Sequence, residues 1–348
     1  MSKLLSSATV GGLTLKNRVV MSPMCLFDVQ QHDGMLTPVH FAHYVQRAMG
    51  QVGLIIIEST AVDPDGGITN RDLGLWNDQQ GQELAKLVRV LHSLGAKVGI
   101  QLNHAGRKAQ NAEHLMSAGA VAFDDEIGTP APMTTEQIHH LVDEFGAAAK
   151  RAQDAGFDMI DVHAAHGYLL DQFLSPLVNQ RDDEYGGSLA NRYRLLHEVV
   201  SVVKEHFNGT IWTRLSLTDY LLADQQNSLT DWQQVGKWLA ADGVSLLDIS
   251  TGGLLPIKPD FPIHDGYQTR FATAMKQAVD IPVSTVGLLD NPGLAEYILQ
   301  NDQADLIMEG RALLRNPNWV AKAAKELHEH DLERFSYNHS YYRGLKYL

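Results

Sequence analysis

Residues 161–176, DVHAAHGYLLDQFLSP, begin as an apolar strand and end as a polar segment. Three side chains that can take part in proton chemistry, His163, His166 and Tyr168, lie within six residues where the strand should give way to a loop. Polar residues at the carboxyl end of a buried strand are typical of active sites in α/β proteins. The stretch therefore predicts a parallel sheet with a functional site at its edge.

Apolar runs of this kind recur along the chain, and most are continuous rather than alternating. Continuous runs are typical of strands buried on both faces of a parallel sheet. The runs cover residues 17–23, 53–59, 97–103, 158–164, 210–216, 244–250, 281–287 and 305–311. Eight strands with helical segments between them predict an α/β fold of the (β/α)8 or TIM-barrel type. Since no linker of different composition interrupts them, we expect residues 1–348 to form a single domain.

Two helix starts are visible in the sequence. Thr37 is a predicted N-cap followed by Pro38 at the first helical position, and Thr134 stands at capping-box spacing from Gln137. Both segments are predicted to be crossover helices of the barrel.

The chain is longer than a minimal barrel, and three segments accommodate the surplus. Residues 6–17, SSATVGGLTLKN, predict an N-terminal β-hairpin that turns on Gly11 and Gly12 and closes the barrel floor. Long loops are expected after the third strand, at residues 104–133, and after the fourth strand, at residues 178–193. Long loops at the carboxyl ends of barrel strands usually carry function.

Composition excludes several classes of protein. The 348 residues are 44% hydrophobic and carry 41 acidic against 28 basic side chains, with a formal net charge of −13 and no basic run. Duplex nucleic acid and anionic membranes are therefore not expected partners. The single cysteine, Cys25, excludes an internal disulfide, an intrachain iron–sulfur cluster and a Cys-rich zinc site. No segment reaches the roughly 18 apolar residues of a membrane span, and we expect a cytoplasmic protein.

The last two predicted strands suggest a phosphate site. Gly287 and Gly310 follow strands seven and eight, where many barrels bind phosphate through backbone N–H groups, and Arg311 adds a charged donor. The alternative is that both glycines only serve tight turns. The combination favours a phosphorylated ligand.

Two polar residues near the ends of strands three and five have open interpretations. Arg214 requires an anionic partner, which is either a structural carboxylate or a ligand whose charge develops during reaction. Gln101 offers a donor and an acceptor to a planar heterocycle. Three interpretations are open for Cys25, which follows strand one: an inert core residue, a nucleophile or a modulator of a redox cofactor.

His163 and His166 also allow more than one interpretation. With His104 they could bind a metal ion, although no HExxH motif accompanies them. They could instead donate hydrogen bonds to a substrate oxygen, with Tyr168 as a nearby proton donor. A third alternative is that both imidazoles bind local carbonyl groups.

The chain resembles the old yellow enzymes, a family of FMN-dependent ene-reductases built on a (β/α)8 barrel, and in particular their short, cysteine-bearing bacterial subgroup. The resemblance runs nearly from end to end. The segments that carry it are LKNRVVMSPMC (15–25), RDLGLW (71–76), IQLNHAGRK (100–108), DVHAAHGYLLDQFLSPLVNQRDDEYGGSLANRYR (161–194) and ADLIMEGRALLRNP (304–317). The iron–sulfur relatives need several more cysteines, so Cys25 alone excludes them.

The resemblance implies a set of residues for each part of a tightly bound, non-covalent FMN. The residues implied along the flavin ring are Ser22, Pro23, Met24, Cys25 and Thr60. Gln101 is implied at the pyrimidine edge and Arg214 near ring N1, where reduced flavin is anionic. The residues implied at the phosphate are Gly287, Gly310 and Arg311, in agreement with the argument from the glycines.

The resemblance also implies the substrate residues. His163 and His166 would bind the electron-withdrawing oxygen of an electrophilic alkene, and Tyr168 would protonate its carbon. Cys25 would tune the flavin rather than attack a substrate. Phe27 stands where relatives often have a tyrosine, and loss of that hydroxyl should alter substrate preference.

In the same subgroup an arginine near the C-terminus can enter the site of the neighbouring subunit. Arg343 is the candidate for that role, and the tail at about 330–348 is then expected at a subunit interface. This implies a homodimer or homotetramer.

The predicted activity is NADPH- or NADH-driven reduction of the activated C=C bond of α,β-unsaturated carbonyl or nitro compounds. One alternative is a metal-dependent hydrolase that uses the histidine cluster. Another is a non-catalytic flavin-binding protein.

Overall fold

The computed structural model describes residues 2–257, 259, 261, 263–329 and 339–345. Its main feature is a barrel of eight parallel strands, in which each strand pairs with the next and β1 also pairs with β8. The strands are β1 Val19–Met21, β2 Leu54–Ala61, β3 Lys97–Asn103, β4 Met159–Ala164, β5 Thr210–Ser216, β6 Leu246–Ser250, β7 Val283–Thr285 and β8 Leu306–Glu309. Each observed strand lies within a predicted run or extends it by two residues at most, and the (β/α)8 prediction is confirmed.

Helices surround the barrel. They are α1 Pro38–Met49, α2 Asp78–Ser93, α3 Thr135–Ala155, α4 Leu189–His206, α5 Leu229–Asp242, α6 Thr269–Lys276, α7 Pro292–Gln300 and α8 Trp319–Glu326. Shorter elements are the helices Leu169–Leu174, Arg311–Arg315 and His339–Leu345, the 3-10 turns Pro64–Gly66 and Gly106–Lys108, and the strands Leu73–Gly74, Met116–Ser117 and Ala131–Pro132. Within the described ranges, no helix is long and apolar enough to cross a bilayer.

Local capping explains where the helices begin. α1 starts at Pro38 as predicted, and α3 starts after Thr134, whose hydroxyl accepts from the N–H of Gln137 at 3.2 Å. α4 begins after Ser188, which accepts from the N–H of Asn191. The predicted loop at 178–193 is therefore wrong for its last five residues, because a serine cap starts the helix inside it.

The N-terminal hairpin closes the barrel floor, as predicted. Its strands, Ala8–Val10 and Leu13–Leu15, join at Gly11 and Gly12, which both have positive φ. Apolar side chains of the hairpin pack with inward-facing residues of the barrel strands, including the fully buried Trp212. The floor is thus a packed apolar layer, and the opposite end is left for the polar groups.

The predicted long loop after β3, residues 104–133, is confirmed. It contains only a 3-10 turn and two short paired strands, Met116–Ser117 and Ala131–Pro132. The loop lies at the carboxyl end of the barrel, and its first residues contact the turn after β4: the N–H of Leu169 donates to the carbonyl of His104 at 2.9 Å.

The turn after β4 is tightly packed against the loop after β6. His166 and Gly167 both have left-handed backbone conformations, with φ of 59° and 69°. A Cβ on Gly253, whose φ is 101°, would lie 2.6 Å from the Cα of His166. Position 253 therefore requires a glycine for two reasons. Its backbone conformation favours glycine, and a Cβ there would collide with the backbone of His166.

A buried carboxyl anchors the loop after β1 to α1. Glu58 of β2 is fully buried, and it accepts from the N–H of Leu26 at 2.9 Å and from the hydroxyl of Tyr44 at 2.8 Å. Burial raises the pKa of Glu58 to about 7, against the opposing effect of these donors. The segment that carries Cys25 is therefore held by a carboxyl that titrates near neutral pH.

Replacing Gly253 by alanine tests whether the backbone of His166 lies too close to position 253 to admit a Cβ. The control is Gly128→Ala, because Gly128 has a similar φ of 96° and nothing within 4 Å of its added Cβ. We expect the control to lower the free energy of unfolding by about 1–2 kcal/mol. Gly253→Ala should cost about 1–3 kcal/mol more, because its Cβ collides with backbone. Chemical denaturation of both variants measures the difference, and equal losses would contradict the packing argument.

Replacing Glu58 by glutamine tests its raised pKa. Between the unfolded pKa near 4.5 and the folded pKa near 7, the folded protein binds the extra proton, so wild-type stability falls as pH rises through this window. Glu58→Gln lacks this loss. Relative to wild type, the variant should gain about 2–3 kcal/mol of unfolding free energy between about pH 5 and pH 8.

The measurement for Glu58→Gln is denaturation with excess FMN at both pH values. The control is Glu83→Gln on α2, which breaks an exposed ion pair with Lys86 and should have little effect at either pH. A pH-independent difference for Glu58→Gln would show that its carboxyl does not titrate in this window.

Candidate active site

The three residues singled out after β4 lie together at the carboxyl end of the barrel. The ring centroid of His163 is 5.2 Å from those of both His166 and Tyr168. His163 is the second-last position of β4 and is buried, whereas His166 and Tyr168 are half-buried on the following turn. The turn places both residues back over the strand end, so that two imidazoles and a phenol share one small volume.

Both imidazoles are held in the neutral form. Burial lowers the pKa of His163 and of His166 well below the usual value, and the positive charge of Arg214 lowers both further. A neutral imidazole has one N–H donor and one acceptor nitrogen. The pair can therefore donate hydrogen bonds to a ligand oxygen without adding charge to the site.

The two histidines differ in their hydrogen bonds. His166 Nε2 lies 2.7 Å from the hydroxyl of Ser250, and its backbone N–H donates to Ser216. The Nδ1 atom of His163 is buried and has no hydrogen-bond partner within the described part of the chain. A buried ring nitrogen without a partner is costly, and it is the stronger candidate for contact with a ligand.

Tyr168 retains its proton over the physiological range. Burial raises the pKa of its phenol above the usual value, and the nearby Cys25 and Asp72 raise it further. Lys108 Nζ lies 4.7 Å from the centroid of the Tyr168 ring. Sequence reasoning gave no role to Lys108, although it is the last residue of the quoted segment IQLNHAGRK. Its neighbourhood could be recognised only in three dimensions, because Lys108 follows β3 and Tyr168 follows β4.

Cys25 lies in the loop after β1 and is partly exposed. Burial of the thiol raises its pKa well above the usual value, and Asp72 and Glu58 raise it further. A thiol in this environment is not a ready nucleophile, because the thiolate is the reactive form. Of the three interpretations of Cys25, the surroundings therefore disfavour the nucleophile.

Arg214 has the structural carboxylate partner that the sequence left open. Its Nε lies 3.1 Å from Oδ2 of Asp248, and both side chains are almost fully buried. Gln101 is also engaged within the barrel, since its Nε2 donates to Asp161 Oδ2 at 2.7 Å. Asp248 and Asp161 were not predicted to belong to the site. Each lies inside an otherwise apolar strand. An acidic residue within an apolar run was the sequence feature that could have indicated its role.

A cavity of about 310 Å³ brings the predicted phosphate residues together with Arg214. It is lined by Gly287, Gly310 and Arg311, and Arg214 and Ser250 connect it to the histidines. A Cβ on Gly287 would lie 3.2 Å from the side chains of Tyr267 and Gln268, so the glycine keeps this space open. An open backbone with glycines and arginines fits the phosphate of FMN.

The residues expected along the flavin ring surround the same end of the barrel. Ser22 Oγ is buried and makes no hydrogen bond within the residues described. The hydroxyl of Thr60 donates to the carbonyl of Glu58 at 2.8 Å, so its proton is not free for a ligand. Met24 lies next to Gly310, whose added Cβ would be 3.2 Å from the Met24 sulfur. Pro23, half-buried, connects Ser22 to Met24.

The remaining predicted residues are less constrained. Phe27 is 39% exposed with a φ of 51°, and Arg343 is exposed on the helix His339–Leu345. The expected interface tail, 330–348, lies outside the described residues except for this helix. In the described ranges no three His, Cys, Asp or Glu side chains are grouped for a metal ion, and His104 accepts from the N–H of Gly106 through Nδ1. The metal-hydrolase alternative thus has no ligand set among the residues that the structure describes.

Comparison with known proteins agrees with the geometry. Residues 3–330 match the model of the NADH:flavin oxidoreductase / NADH oxidase family. The chain is 50% identical over 329 residues to an NADPH dehydrogenase of Listeria monocytogenes, covering 94% of this chain and 96% of the relative. It is 47% identical over 325 residues to an NADPH dehydrogenase of Bacillus subtilis, covering 93% and 95%.

Among solved structures, morphinone reductase superimposes with a TM-score of 0.80 at 27% identity, covering 96% of this chain and 93% of that protein. The family match and the identities extend over nearly the whole length. The chain therefore belongs to the NADH:flavin oxidoreductase / NADH oxidase family, the old yellow enzymes, and is an oxidoreductase that uses FMN as cofactor and a nicotinamide as reductant.

Proposed function

We propose that this enzyme reduces the activated C=C bond of α,β-unsaturated carbonyl or nitro compounds. The observation that carries the proposal is the group of two neutral imidazoles and a protonated phenol around the end of β4, next to the cavity that fits FMN. Bound FMN supplies hydride, after its own reduction by NADPH or NADH. The protein must supply polarisation of the alkene, a proton and a fixed orientation.

The imidazoles supply the polarisation. His163 and His166 donate to the carbonyl or nitro oxygen, which gains negative charge as the alkene carbon accepts hydride. Donors that are already in place lower the barrier without reorganisation, and one such donor contributes about 3 kcal/mol. Because both rings are neutral, the donors act mainly on the charge that develops during reaction.

Tyr168 supplies the proton to the other alkene carbon. A phenol with a raised pKa is a weak acid in water, but the carbon of the enolate formed from an α,β-unsaturated carbonyl compound is a much stronger base and can take its proton. Lys108 lies over the ring and stabilises the phenolate that is left. Phe27 stands where relatives often have a tyrosine. Because it lacks the hydroxyl of a tyrosine, it should shift substrate preference towards less polar compounds.

The assembly and the location of the enzyme are part of the same proposal. Arg343 contacts the substrate site of a neighbouring subunit in a homodimer or homotetramer, and the protein acts in the cytoplasm. Light scattering at micromolar concentration tests the assembly. A monomer under these conditions would remove Arg343 from any role in a neighbouring site.

Anaerobic spectroscopy tests the activity as a whole. The purified enzyme is supplemented with FMN, freed of excess nucleotide and reduced with one equivalent of NADPH; an enone is then added. We expect loss of the flavin band with NADPH and its return with the enone. If the flavin is reduced by NADPH but is not reoxidised by any enone or nitroalkene, the proposed activity is wrong. The enzyme would then be a nicotinamide oxidase that uses another electron acceptor.

Replacing Tyr168 by phenylalanine tests the proton donor. We expect the enone-dependent reoxidation of the enzyme to slow by about 10²–10⁴-fold, with reduction by NADPH little changed, because the acid acts in one half-reaction. Anaerobic stopped-flow absorbance separates the two steps. The control is Tyr193→Phe, which removes a hydroxyl that donates to Asp242 on the outer helices. Full turnover of Tyr168→Phe with every enone tested would show that another group donates the proton.

Replacing Arg311 by glutamine tests the phosphate site. Loss of a charge-assisted hydrogen bond worth about 1.5–3 kcal/mol should raise the Kd for FMN by about 10–100-fold. Quenching of flavin fluorescence on titration of the apoprotein measures this Kd. Arg89→Gln, on the exposed face of α2, is the matched loss of charge and should leave the Kd unchanged. Equal Kd values for Arg311→Gln and wild type would place the phosphate elsewhere.

A further inference from the structure

The interior of the barrel holds an ion pair directly below the candidate site. Arg214 of β5 lies in register with Asp248 of β6 and with His163 of β4. Its Nε atom is 3.1 Å from Asp248 Oδ2, and the side chains are 8% and 1% exposed. Arg214 also lines the cavity that fits FMN, so one guanidinium faces a carboxylate on one side and the ligand space on the other.

The ion pair is short, but it lacks the geometry of a hydrogen bond. Neither Arg214 Nε nor Asp248 Oδ2 has a hydrogen-bond partner in the described part of the protein. Asp248 is fixed from the far side, since its Oδ1 accepts from the hydroxyl of Ser284 at 2.7 Å. The carboxylate is thus held in place by Ser284. The guanidinium is attracted to the carboxylate, but its Nε–H is not used in a hydrogen bond to it.

The ion pair affects the pKa of a second buried carboxyl, that of Asp161. Asp161 accepts from Gln101, and burial, followed by the charge of Asp248, raises the pKa of Asp161 to about 7, against the opposing effect of Arg214. A carboxyl with a raised pKa thus lies beside the ion pair. The short distance between Arg214 Nε and Asp248 Oδ2 identifies Asp248 as the counter-ion of Arg214.

We propose that Asp248 is a positioning residue that sets the reduction potential of the bound FMN through Arg214. The inference rests on the proposed function and on the position of Arg214 near flavin N1, which the family resemblance implies. Two-electron reduction gives the flavin a negative charge at N1, and this charge competes with Asp248 for the same guanidinium. By neutralising part of Arg214, Asp248 weakens the binding of reduced FMN more than that of oxidised FMN and keeps the potential low.

The test is the midpoint potential of the holoenzyme, measured by anaerobic equilibration with a reference dye. Asp248→Asn removes the charge and keeps the shape of the side chain. We expect the ratio of the Kd values of oxidised and reduced FMN to rise at least tenfold, which for a two-electron couple is a potential higher by about 30 mV. An Asp248→Asn enzyme that binds FMN at the wild-type potential overturns the proposal.

Asp248→Ser provides a second variant if Asp248→Asn fails to fold. It removes the same negative charge from beside Arg214, so the potential should rise in the same direction. An unchanged potential in Asp248→Ser would also count against the proposal. Asp305→Asn is the control, because it breaks an ion pair with Lys276 at the other end of the barrel and should lower stability without a change in potential.

A double-mutant cycle distinguishes action through Arg214 from other effects. In an Arg214→Gln background, Asp248→Asn should give no further rise in potential, because the cation between them is gone. Equal shifts in both backgrounds would show that Asp248 acts on the flavin without Arg214, and this overturns the proposal. If Arg214→Gln alone leaves the potential unchanged, the placement of Arg214 at N1 fails. None of these readouts depends on turnover of an enone, so a failure of the proposed activity is seen separately.

Discussion

Arg214 places a permanent positive charge in the mouth of the barrel, and its neighbours adopt protonation states that accommodate it. A guanidinium does not lose its proton at any physiological pH. Its charge lowers the pKa values of His163 and His166, which burial already lowers, and it opposes the effect of burial on Asp161. Asp248 is its counter-ion. Arg214 thus acts on the protonation of three side chains around it, in addition to the larger effect of burial.

Two further cations, Lys108 and Arg107, hold the loops that carry the site. Lys108 Nζ donates to the carbonyl groups of His166 and Gly253, at 2.9 and 3.0 Å, and Arg107 donates to carbonyl groups in the loops after β3 and β6. The left-handed conformation of His166 costs free energy, and such strain persists only when the surroundings over-determine it. The segment after β3 therefore fixes the backbone on which both the imidazole and the phenol depend.

The sequence predicted the barrel, the hairpin and the strand ends well, because each depends on a local pattern. Continuous apolar runs gave the eight strands, and capping residues such as Thr134 gave helix starts. Ser188 was missed because the segment around it is rich in polar and glycine residues that are typical of loops. The partners of the site were harder to foresee. Asp248 and Lys108 act across strands, and no periodicity within one segment indicates which side chains meet at the mouth of a closed barrel.

The same physical chemistry separates the tasks of the residues after β4. His163 and His166 lie among positive charges, and protonating either ring would add a buried cation next to Arg214 and Lys108. These rings are therefore poor carriers of an extra proton but good donors of a hydrogen bond. Burial raises the pKa of Tyr168, and the nearby Cys25 and Asp72 raise it further, so its phenol keeps the proton until a strong base appears beside it. Polarisation and protonation are assigned to different side chains because burial disfavours an extra proton on either imidazole, whereas the buried phenol of Tyr168 holds a proton that it can give up.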